Sequence, residues 1–167
     1  MDGIQKMILE HKEVESVISG ITAGLKEQLV SGLSGSARSA FIASVYQKTE
    51  QPAIVLTYNL LQAQKLYDDL LQFMDESALF LYPANELIAA ELGVASPELM
   101  AQRIDVLNAL LSGKNCLIVV PMAGLRKILP PKTVWEKYQL HVETGKEIEL
   151  DHVLEMLVEM GYTRSDM

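Results

Sequence analysis

Three short segments of this chain are apolar at every position: Ala53-Ile54-Val55-Leu56, Ala78-Leu79-Phe80-Leu81 and Cys116-Leu117-Ile118-Val119-Val120. A strand with no polar side to turn toward water has to be covered on both faces. Pro52 introduces the first segment, and Pro83 and Pro121 close the other two. The stretches between them carry helical signals. Asn59 is a good cap for a helix over 60–74, and Ser96-Pro97-Glu98 reads as cap, first helical residue and first-turn carboxylate of a helix ending before Gly113. Buried strands alternating with helices predict an α/β fold: a parallel sheet in three layers, with helices on both sides and right-handed crossovers. Two further elements extend this pattern. Gln28-Leu29-Val30-Ser31-Gly32-Leu33 reads as a fourth strand entering a turn of small residues, followed by a helix over 36–48. Ahead of it, Ile4, Met7, Ile8, His11, Val14, Ile18 and Ile21 recur in steps of three and four, which predicts one amphipathic helix over 4–21.

Pro130-Pro131 punctuates the chain, and the pattern changes after it. Trp135 is expected to pack the junction there. Residues 138–143 alternate with period two and read as a half-exposed strand. Residues 150–160 place Leu150, Val153, Leu154, Leu157 and Val158 on one helical face, and Gly161 stops that helix. One strand and one helix are too little for a core of their own. The expected division is therefore an α/β domain over 1–130 and the start of a small α+β unit over 131–167, incomplete and truncated.

Composition limits the function classes. The chain has 14 basic and 22 acidic residues, a net charge of −8, which argues against a module living mainly on a nucleic-acid backbone. A single cysteine excludes a disulfide framework and a Cys-rich zinc site. No apolar run approaches the roughly 18 residues that suggest a membrane span, and the start lacks a signal-peptide pattern. The expected location is the cytoplasm.

One loop could carry chemistry. Gly32-Leu33-Ser34-Gly35-Ser36-Ala37-Arg38-Ser39 stands between the expected strand and its helix, where backbone N–H groups and a helix N-terminus converge on a phosphate. The template is glycine, four residues, then Gly-Lys-Ser/Thr. Gly32 and Ser39 fit. Ala37 replaces the second glycine with a residue that has a Cβ. Arg38 replaces a compact ammonium with a larger fork. No strand end carries the acidic residue that would hold magnesium. The loop reads as a relic, with no nucleotide and no other cofactor expected.

The remaining candidates read as structural. His11, His141 and His152 have no ligand spacing. Asp68 and Asp69 diverge on a helix. Cys116 sits among apolar strand residues as a buried thiol. The eight methionines are scattered core filler.

The order of segments resembles a known family. The Gly-rich loop after Gln28-Leu29 is followed by Ile54-Val55-Leu56-Thr57-Tyr58-Asn59 and a helix with Ala63-Gln64-Lys65-Leu66-Tyr67. Then come Leu81-Tyr82-Pro83-Ala84-Asn85-Glu86, a helix with Arg103, Leu117 to Leu125, Pro130-Pro131, Gly145-Lys146-Glu147-Ile148 and Leu157 to Tyr162. Together these resemble the N-terminal, UvrB-like module of bacterial transcription-repair coupling factors.

The resemblance implies a role within a larger protein, an ATP-driven DNA translocase that displaces stalled RNA polymerase at lesions and recruits nucleotide excision repair. In that family this module has lost ATPase function and docks UvrA through its second domain. Its other partners are the motor domains of the same protein, with RNA polymerase and DNA reached only through the full-length protein; no membrane is involved. UvrB itself keeps the loop lysine and carries a tyrosine-rich hairpin for damaged DNA, whereas here Arg38 stands in the loop and Tyr82-Pro83-Ala84-Asn85-Glu86-Leu87 runs on without one. Tyr162-Thr163-Arg164 matches the UvrB pattern in which the arginine contacts UvrA, so the resemblance gives Tyr162 and Arg164 a partner-binding role. The alternatives are a nucleotide-hydrolysing enzyme that tolerates Arg38 and a DNA-binding module.

Overall fold

A computed structural model describes residues 3–84, 97–126, 128–140, 142–163 and 165. Among these, the chain forms an α/β fold of three parallel strands and seven α-helices. The strands are β1 (Ala53–Thr57), β2 (Leu79–Leu81) and β3 (Leu117–Pro121). Their order across the sheet is β1-β3-β2, with Ala53 opposite Leu117 and Leu79 also opposite Leu117. β3 lies in the middle, and all five of its residues are buried.

Helices cover the two faces of β3. Alternate residues of β3 point to opposite faces. Leu117 and Val119 join Leu79, Leu81, Ala43, Tyr46, Ala63 and Leu70 in one cluster, built from α3 (Ser36–Thr49) and α4 (Leu60–Leu70). Cys116, Ile118 and Val120 join Tyr82 and Val106 in a second cluster, under α5 (Pro97–Leu111). The expected three layers are therefore present. The signals that set the helices also hold. Asn59 Oδ1 accepts the Gln62 N–H at 2.8 Å, and Pro97 opens α5. Ser96 lies outside the described residues.

Four expectations are corrected. First, no strand forms over 28–33; Leu29 is 93% exposed. Apolar composition makes a strand possible, but backbone groups make one only where a neighbouring strand pairs with them, and among the described residues β1 pairs only with β3. Second, β1 is not covered on both faces. Ala53 and Val55 pack on the first cluster, while Ile54 is 60% and Leu56 is 49% exposed. Third, the amphipathic helix over 4–21 is two helices, α1 (Gly3–Leu9) and α2 (Lys12–Thr22), both packed on α3. The break falls at Glu10-His11, where His11 is extended and its Nδ1 lies 2.6 Å from Glu13. The Gln5 amide, almost fully buried, ties α1 to the end of α4 by donating to the Phe73 carbonyl.

The chain divides into two compact units, Met1–Lys127 and Ile128–Met167. The fourth correction lies in the second. The described part of 138–143 has no strand; a short helix, α6 (Lys132–Lys137), precedes it and contains Trp135. α7 (Leu150–Glu159) forms as the apolar spacing predicts and ends in a Schellman turn. There Gly161 has φ 90°, Gly161 N donates to Val158 O, and Tyr162 N donates to Leu157 O. Lys137 of α6 pairs with Glu159 of α7 at 3.2 Å. This contact raises the Lys137 pKa, through the hydrogen bond first and the carboxylate charge second.

Candidate functional site

The loop before α3 is the place where a phosphate would sit, so its geometry decides what the first unit can do. Gly35 caps α3 at φ 55°, ψ −137°, a conformation that residues with a Cβ avoid. No atom lies within 4 Å of a Cβ built at Gly35. The glycine therefore serves the turn and not a close packing contact. Beyond it the backbone closes on itself: Ala37 N donates to Ser34 O and Arg38 N to Gly35 O, both at 3.2 Å. A phosphate cradle needs such N–H groups turned toward the ligand.

The side chains point the same way. Arg38 is exposed. Ser39 matches the hydroxyl position that would face magnesium, but it is only 1% exposed, inside the packing of α3. The strand that should aim the loop is absent, since 28–33 is unpaired. β1, β2 and β3 end in Thr57, Leu81 and Pro121, and none of these is a carboxylate. At the C-terminal end of β2, Arg103 is engaged with Tyr82. Its Nη2 donates to the Tyr82 hydroxyl at 3.1 Å, and its guanidinium lies 5.1 Å from the ring centroid. Arg103 is among the residues that carry the family resemblance, but its pairing with Tyr82 has no signal in the sequence.

The other sequence candidates are scattered. His11 pairs with Glu13, and His152 is exposed on α7. Asp68 accepts from the Gln64 side chain at 3.0 Å. Among the described residues no group of three or more His, Cys, Asp or Glu could hold a metal ion. Cys116 is fully buried, and burial pushes its thiol pKa up, with Lys114 opposing. That favours the unreactive thiol. Burial likewise raises Tyr46. No described helix is long and apolar enough to cross a membrane.

In the second unit, Tyr162 follows the α7 stop and is 65% exposed. Beside it on α7, Leu150, Leu154 and Val158 stand at steps of four and are exposed as well. This stripe is where an apolar partner surface could dock. His141, Arg164, Asp166 and 85–87 lie outside the described residues.

Comparison with known proteins agrees with this segment order. The chain is 48% identical over all 167 of its residues to the transcription-repair-coupling factor of Bacillus subtilis (strain 168). The chain is thus similar, over its whole length, to one stretch of a transcription-repair-coupling factor. It is also 42% identical over 144 residues, 86% of its length, to the transcription-repair-coupling factor of Staphylococcus aureus (strain USA300). The protein of that name from the bovine strain RF122 is 41% identical over the same share. The chain spans only 14% of the Bacillus relative and 12% of the Staphylococcus ones. No family model matches it.

Proposed function

We propose that this chain is a non-catalytic docking and regulatory module of a protein that couples transcription to DNA repair. The observation that carries the reading is the loop at Gly32–Ser39. It keeps a glycine turn at a helix N-terminus but has Ala37 and Arg38 in place of Gly-Lys, a buried Ser39 and no strand behind it. Such a loop supports a scaffold better than a nucleotide site. No cofactor is assigned to it. The activity of the whole protein, an ATP-driven DNA translocase acting on stalled RNA polymerase, belongs in this reading to parts outside this chain, which acts in the cytoplasm.

The partner in this reading is UvrA, and the second unit is its docking surface. The exposed stripe Leu150-Leu154-Val158 and the neighbouring Tyr162 supply apolar contact. Arg164 supplies a fork for a partner carboxylate.

Calorimetry with ATP and magnesium tests the first half. The expected result is no saturable binding below about 1 mM, the equivalent of roughly 4 kcal/mol. A micromolar dissociation constant, about 8 kcal/mol, contradicts it. UvrA affinity at fixed salt tests the second half. Arg164→Ala is expected to cost about 2 kcal/mol if Arg164 is a central anchor. A change under about threefold, less than ~1 kcal/mol, moves the docking energy to other residues.

A further inference from the structure

We draw no further inference here: the strongest candidate, the side-chain cluster of Arg103 and Tyr82 at the C-terminal end of β2, ties α5 to the sheet through a hydrogen bond and a ring contact, and nothing among the described residues points to a ligand or partner that it would hold.

Discussion

The two units bury their apolar residues very differently. In the first, a strand with no exposed residue, β3, is packed between α4 on one side and α5 on the other, and Leu70, Leu117 and Val119 are fully enclosed. In the second, no described residue is buried, although α7 is as clearly amphipathic as any helix of the first unit. An amphipathic helix gains its stability from what covers its apolar stripe. Pattern alone therefore sets that a helix forms, and topology sets what it is worth. The first unit has a sheet to cover; the second has α6, a salt bridge at its end and an open stripe. The same contrast divides the proposed work, with the closed unit as scaffold and the open one as docking surface.

The comparison breaks most easily at β3. Leu117→Ala removes a side chain enclosed by the first cluster and is expected to destabilise the chain by about 2–5 kcal/mol in urea unfolding. A loss below about 1 kcal/mol would mean that β3 is not the centre of the core. Asn59→Ala removes the acceptor for Gln62 N and is expected to cost about 1 kcal/mol. Its effect should appear in the first unit only. Ser44 sharpens the picture with the opposite sign. Its hydroxyl is fully buried in α3 and finds no partner among the described residues, so Ser44→Ala is expected to be neutral or to stabilise by up to about 1 kcal/mol. The smallest effect belongs to the second unit. Leu154→Ala, on the open stripe, is expected to change stability by less than about 0.5 kcal/mol. A larger loss there would show that the stripe is covered.

What could be read from the sequence follows the same physics. β1, α4, α5 and β3 were legible because their signals are local: Pro52 ahead of an apolar run, Asn59 as cap, Pro97 as first helical residue, Gly113 as stop. The expected strands at 28–33 and 138–143 failed because a strand depends on a partner elsewhere in the chain, and local alternation cannot supply one. The apolar run of β1 predicts burial on both faces, as that of β3 does; its place at the edge, set by the order β1-β3-β2, is a property of topology. At the candidate site, Ala37 and Arg38 depart from the phosphate-loop template by residue type alone. The burial of Ser39 was hidden, because it depends on how α3 packs.

Hydrogen exchange along the whole chain, in dilute monomeric sample, tests the contrast between the units most directly. Amides of Leu117–Pro121 should exchange only through global unfolding, with the highest protection in the molecule, and those of Leu150–Glu159 should open locally at lower free energy. Equal protection in the two segments would contradict the account, because α7 would then share the stability of a core it does not bury.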